Sequence, residues 1–344
     1  MRHLLGRRRF LALAGGTAAH LAAGACGSDR ADPGTAERET EEDVARLAAQ
    51  KRRERARSGK GPFGPQRYRG YRGLAELPWF ELDSEGVLRC VDESVPRAID
   101  CHCHLGMSVL FEPDLDLHAR TPRVRHLLDC DATQPGCELD LDVYINANFE
   151  EADLRGLRWN TLTQGLWGNP VVRTHTIPNL LDEMDATRIE AAWILPIRFG
   201  LPFGDALTES WTRAVREAGV ADRLRVGCSV HPRDERCLER LEALARAGAR
   251  VLKLHPTMQR FYPDEPALMP IYEAAERLGL VVFFHGGRAG IEPESTRRHA
   301  LPRHYEGAFA GFPGLSFVVG HGGARDGEAM LDLARRYENV WLGT

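Results

Sequence analysis

Short apolar runs that each end in a polar or small residue recur at the interval of one strand plus one helix. That interval limits the available folds more than any other feature of the chain. The runs are Ala98–His104, Ala191–Ile197, Arg225–His231, Val251–His255, Val281–His285, Leu315–His321 and Asn339–Thr344. From the second onward their starts lie 34, 26, 30, 34 and 24 residues apart. Amphipathic stretches fill the gaps: Leu238, Leu241 and Ala245 recur at helical spacing before Gly248, and Leu268, Ile271 and Ala275 before Gly279. Nearly continuous apolar strands alternating with such helices indicate an α/β protein with a parallel sheet under a helical layer. An open doubly wound sheet shares that pattern, but no Gly-rich phosphate loop follows the first strand. The expected fold is a TIM-type (β/α)8 barrel whose seventh strand is the last in the sequence, with strand eight missing at the C-terminus.

The barrel pattern occupies 78–344, opening with a hairpin formed by Trp79–Asp83 and Val87–Val91 around Ser84-Glu85-Gly86. Residues 105–190 read as an insertion after the first strand. Its Tyr144, Trp159 and Trp167 suit either a lid at the active face or a satellite core. Residues 1–26 have a basic start, a weakly apolar run and small residues before Cys26, the layout of a secretory signal rather than a membrane span. Arg7-Arg8-Arg9-Phe10-Leu11 resembles a twin-arginine export motif. Ala23-Gly24-Ala25-Cys26 resembles a lipoprotein cleavage box, with Cys26 as the lipidation site. The expected location is the periplasm or cell envelope, with membrane contact only through that anchor. Residues 27–77 are rich in charge, Gly and Pro and read as a disordered tether, with at most a short charged helix near Glu41–Arg57.

A net charge of −4 gives no reason to expect nucleic acid as a partner. Eight cysteines in 344 residues do not make a disulfide scaffold, although Cys130 and Cys137 are spaced to bridge in an exported protein. Of 45 basic residues only Lys51, Lys60 and Lys253 are lysines. Lys253 is thus the single lysine in the barrel, and it needs its own account.

In Asp100-Cys101-His102-Cys103-His104, alternation puts Asp100, His102 and His104 on one face and both cysteines on the other. Two imidazoles sharing one space are best explained by a cation between them. His285 and His321 end two further strands, each followed by Gly-Gly, so four histidines converge on three strand ends. Lys253 shares a face with His255. An ammonium there is costly unless paired or modified. It is either an ion-pair or substrate-carboxylate partner, or a CO₂-carboxylated bridge between two metals.

These motifs together resemble the amidohydrolase superfamily. They look most like its branch of predicted TIM-barrel metal-dependent hydrolases related to aminocarboxymuconate-semialdehyde decarboxylase. The resemblance implies His102, His104 and His285 as ligands of one divalent metal, usually Zn²⁺, with His321 as catalytic acid/base or second-metal ligand. A carboxylated Lys253 would bring in a second ion. Asp100, His255 and Arg288 are expected around the substrate or behind the ligands. The family takes an essential Asp from strand eight, which this sequence does not reach. The expected activity is hydrolysis of a small-molecule amide, ester or lactone. The alternatives are non-oxidative decarboxylation of a small carboxylic acid and a truncated, inactive ligand-binding lipoprotein; the chain could also oligomerise.

Overall fold

The computed structural model describes residues 39–57, 60, 73–107, 115–122, 149, 151–167, 171–201 and 205–343. The leader with Cys26, the Cys130–Cys137 pair and Tyr144 lie outside them, as does the side chain of Trp167. The hairpin pairs β1 (Phe80–Leu82) with β2 (Leu88–Cys90) antiparallel. Asp83 holds its turn by accepting the N–H groups of Glu85 and Val87, both at 2.9 Å.

Seven parallel strands follow in chain order: β3 (Ala98–Cys103), β4 (Ile189–Ile194), β5 (Leu224–Val226), β6 (Val251–Leu254), β7 (Val281–Phe284), β8 (Phe317–Val319) and β9 (Val340–Leu342). The third run is shorter as a strand than its sequence suggests, stopping at Val226. Cys228 then takes up the pairing to β6: its N–H donates to Val251 and its carbonyl accepts from Lys253, both at 2.7 Å.

Two layers of side chains show that this sheet curls into a barrel wall. Leu252, Leu254, Val282, Phe284, Phe317 and Val319 face outward into the helical layer. Their alternates Val251, Phe283 and Val318 face inward, where they meet Trp193 and Leu195 from β4 and its extension and Cys101 from β3. An open sheet cannot bring its first strand and its sixth into one cluster; a closing one must. The outer layer supplies most of the burial, at roughly 2–3 kcal/mol for each fully buried Phe or Leu.

The helices follow their apolar stripes. On α4 (Leu207–Glu217) the buried residues are Leu207, Trp211, Ala214 and Val215, one face of a helix. Before it come α1 (Glu41–Arg57), α2 (Glu151–Trp167) and α3 (Ile177–Ala186). After it come α5 (Cys237–Arg246), α6 (Met269–Arg277), α7 (Arg303–Gly311) and α8 (Gly327–Arg336). On α5, Leu241 and Ala245 are buried, whereas Leu238 is 37% exposed and stands off the stripe. Among the described residues no helix is long and apolar enough to cross a membrane.

The charged stretch differs from a tether over its middle third. α1 runs for 17 residues and is docked. Arg46 reaches Asp326 at 3.3 Å, Arg53 and Arg57 reach Glu328, and Asp43 pairs with Arg303. An apolar stripe is not what holds it; opposite charges far along the chain are.

Candidate active site

The ends of β3, β6, β7 and β8 gather five imidazoles and one amine. On β3 the pairing to β4 steps from Asp100↔Ala192 to Cys103↔Ile194, three residues against two. This is a bulge, and it changes which way side chains point. Asp100 braces it: one oxygen accepts the N–H of His102 and the other the thiol of Cys103, both at 2.8 Å. Strict alternation is therefore corrected at two residues. Asp100 is tied to Cys103, which packs in the outer layer, and Cys101 turns into the barrel with the histidines. An inserted residue resets the period of two, and the sequence carries no overt mark of it.

His102 packs against Phe283 with ring centroids 4.8 Å apart, against His321 at 4.5 Å and His104 at 5.3 Å. His285 lies flat on His255, 4.0 Å away and tilted by 9°. His285 Nδ1 and His321 Nε2 are 3.2 Å apart. The Tyr305 hydroxyl donates to the His285 carbonyl at 3.0 Å, and Thr257 Oγ1 meets His255 Nδ1 at 3.1 Å. Tyr305 and Thr257 are supports that sequence reading did not find, since neither stands in a motif of its own. Lys253 Nζ sits 3.1 Å from His102 Nε2 and 4.6 Å from the centre of the Phe283 ring.

His321 owes its position to a left-handed run. His321, Gly322, Gly323 and Ala324 have φ of 57°, 56°, 85° and 51°, a conformation costly for the two residues that carry a Cβ. The Gly-Gly pairs after His285 and His321 let the two loops interlock. A Cβ on Gly287 would fall 1.9 Å from the Gly323 carbonyl oxygen, so only glycine fits.

Burial depresses every basic group here. It pushes His104 to about 3 and His321 to about 4, with the Lys253 charge adding to both. His102, His255 and His285 are lowered by the same two kinds of cause, burial first. Burial alone brings Lys253 down to about 7. Among the described residues none of these six groups is hydrogen-bonded or ion-paired to a carboxylate. At neutral pH the five imidazoles are neutral and Lys253 stands near the middle of its titration.

That donor chemistry fits a borderline divalent ion such as zinc. His104 Nδ1 is buried with no partner, an orphan that a ligand would satisfy. Among the described residues no three His, Cys, Asp or Glu side chains converge on one point at ligand distance; they meet in pairs. The fit is one of donor chemistry.

Of the two places expected for Arg288, around the substrate or behind the ligands, its contacts fit the second. Its side chain is 1% exposed, and Nε, Nη1 and Nη2 each donate to Asp326 or Glu39 rather than toward the histidines. From the insertion, Arg158 Nε donates to the Ile291 carbonyl at 2.7 Å, which sets α2 against the loop after β7. Trp159 on α2 is 67% exposed rather than part of a satellite core.

The profile of the family described as Amidohydrolase matches residues 99–344. No curated protein matches the chain. Among solved structures it is similar to an uncharacterized TIM-barrel protein from Bordetella bronchiseptica, with 23% identity and a TM-score of 0.43, over 54% of this chain and 66% of that one. It is also similar to 5-carboxyvanillate decarboxylase from Novosphingobium aromaticivorans, solved with manganese and 4-hydroxy-3-methoxy-5-nitrobenzoic acid. There the identity is 22% and the TM-score 0.39, over 52% and 61% of the two chains. Dihydroorotase from Campylobacter jejuni gives 23% and 0.31, over 45% of each chain. This chain spans less than two thirds of the length of each of the three.

Proposed function

We infer that this chain, which belongs to the amidohydrolase family over residues 99–344, is a metal-dependent hydrolase of small-molecule amides, esters or lactones. The observation that carries the reading is the carboxylate-free cluster of neutral imidazoles at the ends of β3, β6, β7 and β8. In it His255 is buried, His102, His104 and His285 are half-buried and His321 is open to solvent. His102, His104 and His285 would hold a divalent ion, zinc or manganese. When bound, such an ion supplies Lewis acidity toward water and toward a carbonyl oxygen.

The chain's own residues do the rest. His321 is neutral at neutral pH and most open to solvent of the five, so its ring can take a proton from water and return it to a leaving group. His285 Nδ1, 3.2 Å away, fixes the orientation of that ring. Lys253, with a substantial neutral fraction near pH 7, either steadies His102 or adds CO₂. In the second case the amine nitrogen bonds to the carbon, a proton leaves to solvent, and the carbamate becomes a bridging anion. Phe283 and the inward aliphatic layer keep bulk water from below.

Non-oxidative decarboxylation is the second reading, favoured by the absence of any carboxylate against these six groups. A site of nitrogens alone can receive a substrate carboxylate without repulsion, and His321 would then deliver a proton to carbon.

Elemental analysis of the purified chain should find at least one divalent ion. His102→Ala and His285→Ala should each weaken binding by more than the ~10–100-fold typical of losing an outer partner. Cys103→Ala, whose thiol packs outside the barrel, should bind as the wild type does. A metal-free wild type, or full occupancy in both histidine variants, sinks the metal reading. Turnover of lactones and amides supports hydrolysis, CO₂ release from aromatic acids moves the chemistry to the second reading, and neither leaves a ligand-binding protein.

A further inference from the structure

Behind the imidazoles lies a buried charge pair that the chemistry above does not use. Arg288 Nε and Nη2 donate to the two oxygens of Asp326 at 2.8 and 2.6 Å, and the Arg288 backbone N–H donates to the same carboxylate at 3.0 Å. Their side chains are 1% and 0% exposed. Arg288 stands three residues after His285, and Asp326 five after His321. A second tie runs between the loops, from the Arg325 N–H to the Arg288 carbonyl at 3.1 Å. From outside, Glu39 pairs with Nη1 of the guanidinium and Arg46 of α1 reaches Asp326.

Stability alone does not explain such a pair. Taking both charges out of water costs about what their attraction returns, and apolar residues of the same volume often serve as well or better. What a two-pronged Arg–carboxylate contact adds is a fixed geometry. Here the geometry joins the loop leaving β7 to the loop leaving β8, across the left-handed run that aims His321. We propose that Arg288 and Asp326 are a positioning pair that sets His321 against His285, with α1 as the outer clamp. The N-terminal helix is on this reading part of the active-site scaffold. The role rests on His285 and His321 being site residues.

The test is made on the full chain with two variants. Arg288→Met/Asp326→Leu removes the charges together, so no buried ion is left unpaired. Arg288→Lys keeps the charge but loses the fork. Amide exchange across 320–326 and the zinc dissociation constant, measured by chelator competition, are read beside the melting temperature. The double variant should melt no lower than wild type, yet exchange at 320–326 at least tenfold faster and bind zinc at least tenfold more weakly. Arg288→Lys should move both readouts in the same direction by less. Wild-type exchange and zinc affinity in a folded double variant, or in Arg288→Lys should the double fail to fold, would show that the pair only stabilises. A wild type that binds neither zinc nor manganese would end the metal reading, while the exchange data still decide whether the pair orders the loop.

Discussion

Lys253→Met is expected to give a protein that is more stable and less active. The amine is 1% exposed and has His102 Nε2 as its hydrogen-bonding contact, with no carboxylate to offset its charge. Burial takes it from 10.5 to about 7. A group whose folded pKa lies below its unfolded one favours folding above the unfolded value and loses that contribution as pH falls to the folded value. For Lys253 the loss runs from about pH 10.5 down to 7, and the shift corresponds to ~4–5 kcal/mol. Methionine has similar length and reach and carries no charge to desolvate. The apoprotein should gain ~2–4 kcal/mol at pH 7 in urea unfolding, less than the full shift because the wild type relaxes around its amine. The wild type should also grow more stable between pH 7 and 8.5 while the variant does not. Above that, the thiols of Cys103 and Cys228, whose folded pKa values burial raises above 9, lower the stability of both. Turnover should fall at the same time, the sign of a residue kept for function at the expense of stability. Metal stoichiometry then separates its two roles: a fall from two ions to one marks a bridging carbamate, and no change marks the pairing role. A variant less stable than wild type at pH 7 would mean that the amine is satisfied by a partner.

What the sequence revealed was whatever repeats or punctuates. The strand–helix interval and the histidines at strand ends could be read because each barrel strand delivers its last inward residue to the same face. The single barrel lysine stood out against a background of arginine. What remained hidden depends on partners distant in the chain or on a local break in period. The bulge at Cys101–His102 is stabilised by Asp100 accepting from a backbone N–H and a thiol, neither of which a residue pattern displays. α1 has charges on all sides and no apolar stripe, so its sequence looks like linker; its binding surface is Arg303, Asp326 and Glu328, more than 250 residues later. Arg288 could be placed only around the substrate or behind the ligands. That Asp326 would claim it became visible only once the two loops were side by side.

Mild acid should unfold the apoprotein well before its carboxylates titrate. His102, His104, His255 and His285 are held neutral by burial, with folded pKa values below 6.5. Unfolding releases them to their ordinary value, so below pH 6.5 the unfolded chain binds more protons than the folded one. Stability is therefore fully present above 6.5 and is lost as pH falls toward the folded values, about 3 for His104. Each such group contributes at most ~1.4 kcal/mol per pH unit, so four acting together give a slope of several kcal/mol per unit. His321 adds less, because its ring is open to solvent that can hydrate the charged form. Carboxylates act in a different window. Asp43, held low by its partners Arg303 and Thr40 against the opposing effect of burial, begins to cost stability only as pH drops below about 4. Urea midpoints at pH 7.5, 6.5, 5.5 and 4.8 on metal-free protein thus isolate the histidines. The midpoint should fall steadily across the last three, and saturating zinc should hold it up at 6.5 but not at 4.8, since ligands must be deprotonated to bind. A midpoint flat from 7.5 to 4.8 would mean that the imidazoles take up protons without leaving the fold. They would then be solvated rather than packed, and the neutral-donor site proposed here would not exist.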